Sequence, residues 1–327
     1  MKSPVPFHVL ILTVLLCACN NGNLQKDKSG EYNTVSIDTL QGTSLLGEKL
    51  ISEQPDPAKD SITIANYLEA KKEYNENPGN ADAIIWYGRR TAYLGDYKKA
   101  IDIYSEGIEK FPEEPRMYRH RGHRYISIRE FDKAIEDLTK AAELIEGKPD
   151  VIEPDGIPNA RNTPVSSLNT NVWYHLGLAH YLKGNMQEAL QRFQQSLNAS
   201  TNPDMHVAAA NWVYMINRRL GNSKKAEKIL EPINNEMDVF ENMAYHNLLL
   251  FYKGEITEDE LKGDNQDVEY MNDATAYGIG NWYYYNGDTA RAKQLFSNII
   301  KNGTWASFGT LAAEAEISRL SIPASDY

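Results

Sequence analysis

The chain repeats itself. Asn80-Ala81-Asp82-Ala83-Ile84-Ile85-Trp86-Tyr87-Gly88 leads into Leu94-Gly95-Asp96-Tyr97-Lys98-Lys99-Ala100-Ile101. Thirty-four residues later Gly122 answers Gly88, Phe131 answers Tyr97, Ala134 answers Ala100 and Ile135 answers Ile101. The same signature returns as Trp173-Tyr174-His175-Leu176-Gly177, followed by Gly184, Ala189-Leu190 and Phe193. A unit of this length cannot bury an apolar face by itself, so a period of this kind demands neighbours that stack. An array also suits the length, because 327 residues exceed what one compact core normally holds.

In each unit a large residue stands at position 4, Leu-Gly or its equivalent at 7–8, Ala at 20 and an aromatic at 24. This resembles the tetratricopeptide repeat, a pair of antiparallel helices. Small residues at 8 and 20 let the two helices approach, and bulky ones at 4, 7, 11 and 24 fill the space between them. Glycine near position 15 closes the first helix in a left-handed conformation. In this register repeats begin at Ala81, Pro115, Thr170, Val207, Phe240 and Asp273, with the fourth and fifth degenerate. Ser61–Tyr74 reads as a leading helix and Trp305–Leu320 as a helix capping the open end of the stack. The resemblance implies an all-α, right-handed α-solenoid over about 81–320.

The step from the second to the third repeat is 55 residues and contains an insertion over 147–169, with four of the chain's fourteen prolines and no helical period. Its prolines and the Asp155-Gly156 turn favour an ordered excursion. Long excursions in compact folds are functional or disordered, so Glu153, Asp155, Asn159 and Arg161 are candidate contacts. A structural spacer is the competing reading.

The N-terminus carries a different message. Met1-Lys2, an apolar run over Phe7–Leu16 and Leu16-Cys17-Ala18-Cys19 are laid out as a secretory signal. The last four residues resemble a bacterial lipobox, which makes Cys19 the expected lipidation site and 1–18 the removed peptide. Residues 19–59 are polar, end in Pro55 and Pro57, and are expected as a flexible tether with a span on the order of 35 Å. That places the protein at the cell envelope, lipid-anchored at the outer membrane or on the periplasmic face. Cys17 and Cys19 are the only cysteines, so the body is not stapled by disulfides.

The net charge of -11 opposes a general nucleic-acid role. Against that background Arg116, Arg119, Arg121, Arg124 and Arg129 fall together with His120 and His123. In the repeat family, first-helix positions 2, 5, 9, 12 and 13 line the concave groove. Carried over, they give Arg89, Tyr93, Arg116, Arg119 and His123, then Tyr174, Asn211, Arg218, Tyr277, Asn281 and Tyr284. A groove basic at its start and rich in Tyr and Asn beyond suits an extended acidic peptide. The opposing reading pairs the arginines with second-helix acids such as Asp102, Glu106 and Asp137. No metal-ligand spacing, nucleophile elbow or phosphate loop is present, so neither catalysis nor a cofactor is expected. The sequence thus reads as an envelope-anchored adaptor for a protein or acidic peptide. The alternative is a carbohydrate-handling or enzyme-associated lipoprotein using the insertion and the groove tyrosines.

Overall fold

The computed structural model describes residues 35–156, 158–262 and 272–321; the signal segment and Cys19 lie outside the described residues. Fourteen helices and one short hairpin make up the described chain, an all-α tetratricopeptide-like solenoid. The helix α1 (Ser61–Glu76) leads. The pairs α2 (Ala81–Tyr93) and α3 (Tyr97–Lys110), α4 (Pro115–Ser127) and α5 (Phe131–Ile145), and α6 (Leu168–Lys183) and α7 (Met186–Ala199) then follow. Next come α8 (Pro203–Arg219) and α9 (Ser223–Leu230), α10 (Met243–Lys253) and α11 (Glu258–Lys262), α12 (Asp273–Tyr285) and α13 (Thr289–Asn302), and last α14 (Phe308–Ser321).

The repeat residues act as their types require. Ala100, Ala134, Ala189 and Ala292 are fully buried. Gly88 lies under the Tyr104 ring, where a Cβ would come within 2.5 Å, and Gly122, Gly177 and Gly280 lie in the same way under Leu138, Phe193 and Phe296. Bringing two backbones this close leaves no room for a side chain at the crossing, which is why glycine recurs there. Left-handed glycines close the first helices at Gly95, Gly184, Gly221, Gly254 and Gly287. The fourth repeat starts earlier than Val207, because Asn202 caps Met205 N at 3.0 Å and Pro203 takes the first-turn position. In the fifth, α11 has only five residues.

One expectation is corrected. The tether does not run to residue 59, because 35–59 pack onto the body. Strands β1 (Leu40–Thr43) and β2 (Lys49–Ile51) pair antiparallel, with a bulge at Gln41. Ile37 and Leu50 are buried, and the Gln41 side chain accepts from Lys98 N at 3.0 Å. Two buried apolar side chains in a polar stretch sufficed, because they meet an existing surface rather than build a core of their own. The expected C-terminal capping helix is α14. It packs on α13 and α12 and reaches back to α6. Its acids explain the turn inward, since Glu314 and Glu316 are buried against arginines of earlier repeats.

Candidate functional site

The expected groove residues lie on the first helices α2, α4, α6, α8 and α12, and the chain's own segments contact many of them. The insertion crosses the basic end. Ile152 bridges to Ser167, and Glu153 N donates to Ser166 O at 3.0 Å, which holds the segment extended. Its Glu153 carboxylate is buried against Arg119 Nη2 at 3.1 Å, with His120 Nε2 at 3.6 Å and Asn171 Nδ2 donating to it. Arg89 donates to Pro154 O at 2.9 Å and Arg90 to Gly156 O at 2.6 Å, both stacked on Trp86. The Tyr93 hydroxyl abuts Gly156 so closely that no side chain fits there.

Arg119 also donates to His120 Nδ1 at 2.8 Å, which fixes that imidazole in the tautomer with its proton on Nε2. Burial and then the guanidiniums of Arg119, Arg89 and Arg124 hold the His120 pKa well below the usual histidine range. His123 and His175, 4.3 Å apart, are pushed down in the same way, burial first. Phe308 of α14 packs over both rings.

Arg116 does not join the cluster; it sits at the rim, paired with Glu114 at 2.8 Å and Asp82 at 2.6 Å. Of the second-helix acids expected as partners, Asp137 holds Arg121 through two bonds of 2.7 Å.

Further along, the inner face is closed. Tyr174 is half-buried, and its hydroxyl meets Trp212 Nε1 at 2.7 Å and the Tyr245 hydroxyl at 3.1 Å. Asn211 is buried. Tyr277 reaches the Tyr181 hydroxyl at 2.5 Å and Glu316 at 3.3 Å. Asn281 accepts from Arg219 at 2.9 Å, and that guanidinium lies over Tyr284 and pairs with Glu316 at 3.0 Å. Arg218 bonds Tyr214 and Asn286 and stacks on Tyr285. This half of the groove therefore holds α14.

The remaining insertion residues tie the loop to the middle repeats. Asp155 and Asn159 share a 3.3 Å contact, and Asn159 donates to Glu241 at 2.8 Å. Arg161 grips Asp238 through two bonds, at 2.7 and 2.8 Å, and stacks on Phe240. Asp155 has its pKa raised by burial, with Arg89 acting against it. Sequence reasoning placed Arg129 in the arginine cluster without its partner, and missed Glu314, Arg219 and Glu316. A signal existed for Arg129, since it stands where the repeat calls for a left-handed glycine, and its φ is +69°.

Two cavities flank the basic cluster. One, about 600 Å³, is lined by the 51–63 segment, Tyr93, Tyr97 and Trp305. The other, about 230 Å³, is lined by Asn171, Tyr174, His175, Glu241, Tyr245 and Phe308. Among the described residues no group of three or more His, Cys, Asp or Glu side chains is placed to hold a metal ion.

A family model for the tetratricopeptide repeat matches residues 171–199 and 274–302, the pairs α6–α7 and α12–α13. Tetratricopeptide repeat protein 12 of Mus musculus is 27% identical over 127 residues, covering 39% of this chain and 15% of that protein. Small glutamine-rich tetratricopeptide repeat-containing protein 2 of Saccharomyces cerevisiae is 24% identical over 123 residues, 38% of this chain and 30% of that protein. The chain thus spans less than a third of the length of these relatives. Among solved structures, YrrB, described as a TPR protein with an unusual peptide-binding site, is 15% identical with a TM-score of 0.39, covering 77% of this chain and 97% of that one. The anaphase-promoting-complex Cut9–Hcn1 hetero-tetramer gives 16% identity and a TM-score of 0.46, covering 78% of this chain and 40% of that one. Tetratricopeptide repeats generally mediate protein–protein interactions.

Proposed function

We propose that this protein is a non-enzymatic adaptor, anchored at a bacterial envelope membrane through lipidated Cys19. On this reading it holds a partner by an extended acidic segment at the Arg89–Arg119 end of its inner face. The observation that carries the reading is what already lies there. An extended stretch of the chain gives Arg119 a carboxylate and gives Arg89 and Arg90 two backbone carbonyls. Those are the groups any acidic peptide in extended form offers, and guanidinium recognises them through charge-assisted bonds. A partner would take the place of residues 152–156 at this end of the groove. Less supports the carbohydrate reading, because Tyr277 is buried and the hydroxyls of Tyr174 and Tyr277 are already engaged.

The test is titration calorimetry with a glutamate-rich decapeptide. Glu153→Gln removes the resident charge and is expected to tighten binding about tenfold, while Arg119→Gln abolishes it. No binding to either wild type or Glu153→Gln would sink the proposal. For the anchor, Cys19→Ala is expected to move the protein from the membrane to the soluble fraction.

A further inference from the structure

The larger of the two cavities, about 600 Å³, is built from both ends of the chain. The stretch 51–63 forms one wall, the 304–306 turn between α13 and α14 another, and the end of α2 with the start of α3 a third. Hydrogen bonds fix these walls. Trp305 Nε1 donates to Ile51 O at 2.8 Å, and Ser52 Oγ donates to Gly95 O at 2.8 Å. The volume falls within the range of small-molecule clefts, about 300–1,000 Å³.

Three half-buried aromatic side chains, Tyr93, Tyr97 and Trp305, line the cavity. The Tyr97 and Trp305 rings meet at 5.4 Å with their planes 81° apart, so they form a corner rather than a flat stack. Carboxylates stand on the same lining. Glu53 makes no ion pair or hydrogen bond among the described residues, and it is exposed. Asp60 accepts from Asp56 N through Oδ2 at 2.8 Å, and its other oxygen caps nothing at the start of α1.

The charges around the cavity select against an ionic ligand. On the lining, Glu53, Asp56 and Asp60 face Lys59. Each ring also has a guanidinium against it: Arg90 at 5.8 Å from Tyr93, Arg124 at 5.3 Å from Tyr97 and Arg129 at 5.6 Å from Trp305. With Glu314 paired to Arg129, that makes four acids and four bases. A cation would meet rings that already hold cations, and an anion would meet the carboxylates of the lining. What remains is an uncharged ligand with apolar faces for the rings and hydroxyl donors for the carboxylates.

We propose that this cavity binds a neutral saccharide of one to three pyranose units. Its C–H faces would pack into the corner of Tyr97 and Trp305, and its hydroxyls would donate to Glu53 and Asp60. Tyr174 and Tyr277 take no part, and neither Arg119 nor Glu153 lines the cavity, so the site is separate from that of the peptide. Because its walls belong to the first and last segments, the sugar would also strengthen their contact.

The experiment is calorimetric titration of the full chain with maltotriose, cellotriose and chitotriose, with spermidine as the cationic comparison. Saturable binding of at least one trisaccharide is expected, with a raised unfolding temperature in that sugar alone, and the ranking of the three identifies the linkage or acetamido group preferred. Glu53→Ala, at an exposed side chain without partners, should fold and weaken the binding about tenfold, the loss of one charge-assisted bond. Glu113→Ala, an exposed acid at the other end of α3, should leave it unchanged. No binding by any of the three sugars, saturation by spermidine in their place, or equal binding by Glu53→Ala overturns the site. No peptide enters the titration, so this failure is distinguishable from failure of the peptide reading.

Discussion

Arg129 shows how a single residue can be chosen against local preference. At the equivalent turns Gly95 and Gly184 take positive φ without cost, whereas Arg129 holds +69° with a full side chain. The strain is on the order of 1 kcal/mol. In return the guanidinium meets Glu314 Oε2 at 2.7 Å and Oε1 at 3.1 Å, and donates to Ser127 O and to Trp305 O. Both partners are almost wholly buried. Arg129→Gly is therefore expected to destabilise by about 3 kcal/mol despite relieving the backbone, since it strands a buried carboxylate. Arg129→Gly with Glu314→Leu should recover most of that loss in a urea double-mutant cycle; additive losses would refute the pairing argument. The buried histidines bear on pH. His120 and His175 have folded pKa values depressed below the unfolded value of about 6.5. The unfolded chain then binds protons first, so stability is full above about pH 6.5 and falls as the pH drops below it, by up to about 1.4 kcal/mol per pH unit for each histidine. It levels off only where the folded imidazoles protonate. Glu316, whose pKa is lowered, adds its loss only below the ordinary carboxylate range. Urea midpoints at pH 7.5, 6.5 and 5.5 are expected to fall over the last step, and His120→Gln with His175→Gln to flatten that fall.

The elements differ in how much of them the sequence could disclose. The pairs α2–α3, α4–α5, α6–α7 and α12–α13 follow from glycine at position 8 and alanine at 20, because those residue types are dictated by contacts inside one repeat. The placing of the insertion depends instead on contacts between repeats. Glu153 meets Arg119 from 34 positions away and Arg161 meets Asp238 from 77, and no local pattern encodes such a pairing. The same holds for α14. Its stretch Ala312-Ala313-Glu314-Ala315-Glu316 reads as an ordinary helix, yet Glu316 lies between Arg219 at 3.0 Å and Arg319 at 2.8 Å with 1% of its side chain exposed. Only the placement of Arg219, with Arg129 against Glu314, on the inner side makes α14 turn inward. Glu316→Leu should thus loosen α14 selectively. Hydrogen exchange is expected to show lost protection in 308–321 while α6 and α7 stay protected; uniform loss would mean that Glu316 supports the whole core rather than the docking of one helix.

At the scale of the molecule these contacts close the solenoid on itself. Leu45 N donates to Glu314 at 2.6 Å across 269 residues, Trp305 Nε1 donates to Ile51 O at 2.8 Å, and the Trp305 ring meets Tyr97 edge-on at 5.4 Å. Arg319 donates to Leu182 O at 3.0 Å on the far side of the same helix. An open array stabilises each repeat mainly through its immediate neighbours; here the first and last segments also support each other, which raises cooperativity and fixes the width of the interior. The N-terminal hairpin is the removable part of that closure, since its two strands bury only Gln41 and Leu50. Removing residues 35–52 is expected to lower the unfolding midpoint and to split a single transition into two, the first reporting release of α14. It should also enlarge the radius of gyration in small-angle scattering. If the truncated chain kept one transition and its compact radius, the arginine–glutamate contacts of α14 would be closing the ring unaided. The order of dependence would then reverse, with the hairpin resting on an interior that α14 had already sealed.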